Sequence, residues 1–341
     1  MTDNRQTQTI QGRLIQDIQS ALGDPPDLIC RSLSVRENSH TWCIYLESIS
    51  DKHAIDEYIL ESCVRGGFAE TTPPQTDKGG FMLALPFSEP YEQLLERTVN
   101  SLLTGHCALV DFAGERICLI NVINPKERTI DEPNSESTIR GPHEGFTESI
   151  QTNVGLIRKR IRNPSLRFEK MKIGSQTSTT LIMAYMENLA PQSLVEEVRS
   201  RLSTIKTNSV LESAYVEEFI QERILTPFPT LSNTERPDVV AAQLLDGKVA
   251  VMVDGTPSVL LAPMTFFEFF SSPEDYYQRA DIATFIRVIR LISFFTAVFV
   301  PSMYVAATTF HQELIPTQLL ISLSAQREGV PFPAILEVLI M

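Results

Sequence analysis

Apolar positions along the chain follow two rhythms. Compact runs such as CIYLESIS at 43–50 and MAYMENLA at 183–190 are strand-like. Other stretches repeat at helical spacing: Tyr91, Leu94, Leu95, Val99 and Leu102 in one, Leu194, Val195, Val198 and Leu202 in another, each able to cover one face of a sheet. These runs are related to one another. Tyr45, Glu47 and Ile49 recur 140 residues later as Tyr185, Glu187 and Leu189. Leu-Leu-x-Gly, followed by an apolar run ending in Val-Asp, occurs at 102–111 and again at 244–254. Self-similarity of this kind marks an internal duplication. Each copy reads as strand, helix, helix, then a strand pair that begins after a helix-ending Gly. In the second copy Asp254-Gly255-Thr256-Pro257 predicts a tight turn, because Gly takes positive φ readily and Pro cannot continue a central ladder. Ala113-Gly114 occupies the matching place in the first.

Between the copies, residues 133–146 are rich in Pro, Gly, Ser and Glu and predict a linker. Ile150, Val154, Ile157 and Ile161 then form the apolar side of a connecting helix, with Arg158, Lys159, Arg160 and Arg162 on its polar side, facing solvent or anionic lipid headgroups. Glu235-Arg236-Pro237-Asp238 opens another helix, with Pro at an early position and Asp near the positive end of the dipole. Further on, Leu291–Phe310 is a run of 20 residues without a charge, the length that crosses a bilayer as a helix. Arg279, Arg287 and Arg290 lie on its N-terminal flank, which places the large N-terminal part in the cytoplasm. Pro301 in mid-segment fits a membrane helix that packs on neighbours. Just before it, FFEFF at 266–270 predicts an interfacial anchor, and Glu274-Asp275-Tyr276-Tyr277 an interfacial girdle or subunit contact. Ile315–Leu323 is too short to span, and a new apolar run starts at Phe332, so the chain is expected to break off inside a membrane domain.

Composition narrows the function classes. With 341 residues, 43% of them hydrophobic, the chain can bury sizeable cores. Asp and Glu outnumber Lys and Arg by 42 to 29, a net charge of −13 that disfavours nucleic acid as a partner. Cys30, Cys43, Cys63, Cys107 and Cys118 are odd in number and show no C-x-x-C spacing, as for buried thiols in a reducing compartment. The polar N-terminus has no apolar segment behind a basic start, so no secretory signal is expected.

Catalytic signatures are missing. There is no phosphate-binding P-loop, dinucleotide-binding G-x-G-x-x-G, H-E-x-x-H or G-x-S-x-G, and the histidines at 40, 53, 106, 143 and 311 do not fall at ligand spacing. Gly66-Gly67 and Gly79-Gly80 bracket a Thr- and Pro-rich segment that predicts a loop. No catalytic residue, metal or cofactor is expected; a membrane-tethered hydrolase would have to draw on Asp111 and Asp254.

Four stretches, at 128–161, 234–261, 273–295 and 307–341, carry a resemblance to the A subunits of spore germination receptors, the GerA family, over residues 111–341. The resemblance implies a cytoplasmic two-part α/β region followed by a membrane domain of several helices, in the inner membrane of the spore. It also implies germination receptor B and C subunits as partners, membrane lipid around it, and a homo-oligomer that forms a nutrient-gated ion channel. The family's Gly-Pro-Arg-Glu-Gly-Phe stands here as Gly141 to Phe146 with His143 in third place.

The expected architecture is thus α/β: two similar mixed-sheet subdomains in tandem, then a helical membrane segment. Its divisions are an N-terminal tail with a helix at 1–32, the first subdomain at 33–132, linker and connecting helix at 133–165, the second subdomain at 166–263, and the start of the membrane domain at 264–341 with its helix at about 288–310. Arg140, Glu144, Arg158, Arg160, Glu235, Arg236, Asp238 and Asp275, carried over from the matching motifs, are the candidate interface or coupling residues. The alternative is a small-molecule sensor with a ligand site between the two repeats.

Overall fold

The computed structural model describes residues 3–36, 39–56, 82–112, 116–123, 141–221 and 229–311, with isolated positions after that. The chain divides into two compact units, Met1–Thr265 and Phe266–Met341. The first begins with helix α1 (Asp3–Leu22), then β1 (Leu28–Arg36), β2 (Ser39–Leu46), the helical turn α2 (Lys52–Ala54), β3 (Met82–Pro86), α3 (Tyr91–Leu103), β4 (His106–Asp111) and β5 (Arg116–Asn121). It continues with α4 (Ile150–Arg160), β6 (Leu166–Ile173), β7 (Thr179–Met186), α5 (Gln192–Thr204), α6 (Ser213–Ile220), β8 (Ser232–Thr234), α7 (Pro237–Leu245), β9 (Val249–Val253) and β10 (Val259–Ala262).

The strands form two five-stranded sheets, ordered β1-β2-β4-β5-β3 and β6-β7-β9-β10-β8. Adding five to each strand number of the first gives the second, which is the duplication seen in the sequence. Every described strand pair is antiparallel, so the mixed pairing expected does not occur among them. The reason is topological. Helices α3 and α7 each join two strands that run parallel, but a hairpin strand, β5 or β10, lies between those two in the sheet.

Register makes the repeat exact at one glycine and inexact at one aspartate. Ile44 faces Ala108 and Ala184 faces Ala250, so Gly105 and Gly247, each three residues earlier, correspond. Both end a helix at φ +85, a left-handed conformation that glycine adopts without a Cβ penalty. The same register matches Asp111 with Val253, not with Asp254. Asp111 pairs with Arg116 across its hairpin at 3.7 Å, whereas an Asp254 carboxylate oxygen accepts the Ile150 amide of α4 at 3.3 Å.

Helices cover equivalent faces of the two sheets. Leu14, Ile18 and Leu22 of α1 and Leu94, Val99 and Leu102 of α3 pack on Ile44, Ala108, Val110 and Leu119. In the second repeat Ile150, Val154 and Ile157 of α4 and Val240 and Leu244 of α7 pack on Ala184, Ala250 and Met252. Each such aliphatic side chain contributes on the order of 1.5–3 kcal/mol by leaving water. Helix α3 therefore corresponds to α7, not to α5. Val195, Val198 and Leu202 of α5 lie on the opposite face, over Met183, Val249 and Val251. On the matching face of the first sheet are Cys43, Tyr45, Cys107, Leu109 and Cys118, with Ile55 over them.

The described part of the second unit holds two 3-10 turns, Phe266–Phe270 and Pro273–Tyr277, and helix α8 (Ala280–Thr309). That helix has 30 residues, is long and apolar enough to cross a membrane, and contains Pro301. At 1.5 Å per residue it measures about 45 Å, beyond the roughly 30 Å of a hydrocarbon core. It starts before the uncharged run, with Asp281 in its first turn and Arg287 and Arg290 within it.

Candidate functional site

Three clusters gather the described candidate residues. The first joins the two repeats. Asp27, just before β1, accepts a bidentate pair of bonds from Arg158 of α4: Nε to Oδ2 at 2.8 Å and Nη2 to Oδ1 at 2.9 Å. The Ser48 hydroxyl, after β2, donates to the same Oδ2 at 2.5 Å. The Arg158 side chain is 1% exposed, and its guanidinium stands 4.8 Å from the ring centre of Phe168 on β6. Such a pair is specific because the planar fork matches the carboxylate, and its burial makes either partner costly to strand. Gly155 of α4 lets the backbones meet, since a Cβ there would overlap the Ser48 carbonyl oxygen. Beside it, Arg167 Nη1 donates to the Ala21 carbonyl at 3.1 Å while Arg167 also binds Glu187.

Arg158 thus departs from its expected place. It is not on a solvated or lipid-facing side of a connecting helix; α4 is a core helix of the second repeat, and Arg158 turns toward the first. Sequence reasoning also missed Asp27, Ser48 and Arg167. A glycine inside an otherwise helical pattern, at position 155, was the available signal.

The second cluster lies within the second repeat. Arg160 Nη2 donates to Glu144 at 2.7 Å, with Arg160 half-buried. Arg236 is buried and binds Asp238 through Nε at 3.2 Å and Nη2 at 2.8 Å, and the same Nη2 reaches the Pro142 carbonyl at 3.3 Å. Glu235 takes part through its backbone, its carbonyl accepting the Phe146 amide at 2.8 Å. Pro237 starts α7 with Asp238 in the first turn, as the sequence predicts. The segment 142–148 is further pinned by Asn153, whose side chain exchanges bonds with Thr147, and by the Glu148 carbonyl, which accepts from Gly255. Arg140 lies outside the described residues.

The third cluster is in the second unit. Asp275, its side chain 1% exposed, accepts from the Ser272 amide at 3.0 Å in a reciprocal cap, from Arg287 Nε at 3.0 Å and from Arg290 Nη1 at 3.0 Å. Burial pushes the Asp275 carboxyl up, but the Ser272 amide and the two guanidiniums outweigh it and hold it below its ordinary value. Arg290 also donates to the Phe270 carbonyl at 3.0 Å.

Chemically these are structural ion pairs whose acids and bases are engaged with one another. No group of three or more His, Cys, Asp or Glu among the described residues could hold a metal ion.

Residues 16–341 match the family model described as Bacillus/Clostridium GerA spore germination protein. Spore germination protein KA of Bacillus subtilis (strain 168) is 40% identical over 330 residues, which cover 96% of this chain and 60% of that protein. Spore germination protein GerLA of Bacillus cereus is 35% identical over 331 residues, 96% of this chain and 67% of that one. The chain spans about 60% of the length of the first of these relatives. The crystal structure of the N-terminal domain of the A subunit of the Bacillus megaterium spore germinant receptor GerK3 superposes with a TM-score of 0.54 at 31% identity, covering 74% of this chain and 94% of that domain.

Proposed function

The chain belongs to the GerA family of spore germination proteins, and on that premise we propose that it is the A subunit of a nutrient-responsive germination receptor. The observation that carries the reading is the match over residues 16–341 together with a duplicated α/β region that resembles an A-subunit N-terminal domain. In this reading residues 33–132 and 166–263, with 133–165 between them, form an assembly and signalling platform, and 264–341 begin the membrane domain. The platform is cytoplasmic and α8 spans the inner membrane of the spore; the arginines at 279, 287 and 290 support that orientation. Receptor B and C subunits, further copies of the chain and membrane lipid are its partners, and the assembly couples nutrient sensing to ion release.

Within the platform we assign coupling roles to Glu144, Arg158, Arg160, Glu235, Arg236 and Asp238, and with them Arg140; Asp275 acts at the membrane end. What supports the assignment is that Arg158 and Asp27 make one buried pair out of two repeats, so a displacement of one repeat is carried by the other. The alternative of a ligand held between the repeats meets a junction filled by Arg158, Asp27, Arg167 and the close approach of Gly155 to Ser48.

The test is genetic. Endospores lacking the gene for this chain are expected to lose nutrient-triggered ion release for at least one nutrient and to regain it on complementation. An unchanged response to every nutrient that germinates the parent spores overturns the proposal.

A further inference from the structure

Residues 266–290 form a folded collar at the head of the apolar helix. The first 3-10 turn presents Phe266, Phe267 and Phe269, which are 38%, 71% and 39% exposed. Its other aromatic side is closed: Phe266 and Phe270 lie 5.4 Å apart by ring centres, and each packs edge-on against Phe294, at 6.1 and 5.4 Å, where the uncharged run begins. The exposed rings are therefore continuous with the apolar surface of α8. On the polar side the single buried carboxylate of Asp275 holds Arg287 and Arg290, whose side chains stay partly exposed. Over residues 266–290 the carboxylates of Glu268, Glu274, Asp275 and Asp281 stand against the guanidiniums of Arg279, Arg287 and Arg290, so the collar carries no excess of positive charge.

From this we infer that the 266–270 turn inserts its phenyl rings into the headgroup layer of the bilayer, and that the lipid it fits is zwitterionic phospholipid rather than an anionic lipid drawn in by basic residues. Aromatic rings favour the membrane–water boundary, while attraction to anionic headgroups needs uncompensated Lys or Arg. Asp275 offsets one of the two arginines it holds, and Glu268, Glu274 and Asp281 outweigh the other together with Arg279, so the aromatic wedge is what remains to meet the lipid. The inference rests on the proposal that α8 spans a membrane.

Tryptophan depth measurements test it on the full chain in vesicles. In a Trp42→Phe background, which removes the one native tryptophan, Phe267→Trp and Phe299→Trp are each reconstituted in pure phosphatidylcholine carrying nitroxides either high or low on the acyl chain. Phe267→Trp is expected to lose most of its emission to the shallow quencher and little to the deep one, with Phe299→Trp showing the reverse order. Adding phosphatidylglycerol should leave Phe267→Trp unchanged, and should deepen its quenching only when Asp275→Asn releases the two arginines. Deep quenching of Phe299→Trp with unquenched Phe267→Trp overturns the collar while leaving the spanning helix standing, and a blue-shifted emission in that case identifies a protein contact. A Phe267→Trp signal that needs phosphatidylglycerol while Asp275 is intact overturns the lipid assignment. Absence of quenching at both positions overturns the spanning helix, and this inference with it.

Discussion

Arg158→Met removes one half of a buried ion pair and keeps most of the side chain's volume. It strands the Asp27 carboxylate at the junction with the Ser48 hydroxyl on it. A buried charge left without its partner costs roughly 3–5 kcal/mol, and the lost contact with Phe168 is included in that loss. Asp27→Leu strands the guanidinium and should cost about as much. The double variant, Asp27→Leu with Arg158→Met, leaves no charge to desolvate and should cost less than the larger single change, giving a coupling of at least about 3 kcal/mol. For a unit of this size about 2–4 °C accompanies each kcal/mol, so each single variant should melt roughly 6–20 °C lower. The assay is thermal and urea unfolding of the detergent-solubilised chain, followed by circular dichroism and by the fluorescence of Trp42, the sole tryptophan, which lies on β2 of the first repeat. Since the pair ties the repeats together, each single variant should also separate the Trp42 transition from the overall one. Single costs below about 1 kcal/mol, or a double variant equal to the sum of the singles, would refute the reasoning.

The repeats also diverge at matched tyrosines, and that predicts opposite signs. The Tyr185 hydroxyl donates to Glu169 at 2.8 Å, and burial together with this bond pushes it up to about 12; the Tyr45 hydroxyl is buried without a hydrogen-bond partner among the described residues. Tyr185→Phe should cost about 1 kcal/mol in urea titration, and Tyr45→Phe should be neutral or stabilising. Glu169 itself is held below its ordinary 4.5, first by Arg199 and then by Tyr185, against burial. Its contribution is therefore present at neutral pH, begins to fall as pH drops toward 4.5, and is lost below its depressed value; Glu169→Gln should flatten that part of the stability–pH curve. Gly247→Ala forces a Cβ into the left-handed region 2.8 Å from the Leu189 carbonyl oxygen, and should cost upward of about 1 kcal/mol in the same titration.

Much of the fold is legible in local pattern because each repeat is built from short-range signals. Leu-Leu-x-Gly predicts a helix end and a new strand at both 105 and 247, and both glycines take the positive φ that this requires. Spacing alone does not say which side of a sheet a helix covers. Leu94 and Val195 sit in equally good helical patterns, yet α3 and α5 lie on opposite faces of their sheets, since only strand order decides the crossover. Spacing places Arg158 in a polar stripe with Lys159, Arg160 and Arg162 for a related reason. Its partner, Asp27, is 131 residues away, and a long-range pair leaves no periodic trace. Asp238 is legible because capping is local and it lies in the first turn of α7, whereas the cap that Asp275 closes with Ser272 is not what its place beside the apolar helix predicts.

In the proposed function the two repeats act as one coupled arm of a germination receptor. Nutrient-triggered ion release from spores carrying Arg158→Met, grown at a temperature where immunoblots show parental levels of the chain, tests it most directly. These spores are expected to lose or sharply slow the response that wild-type complementation restores, and adding Asp27→Leu should recover part of it. A full, parental-rate response from the Arg158→Met spores would contradict it.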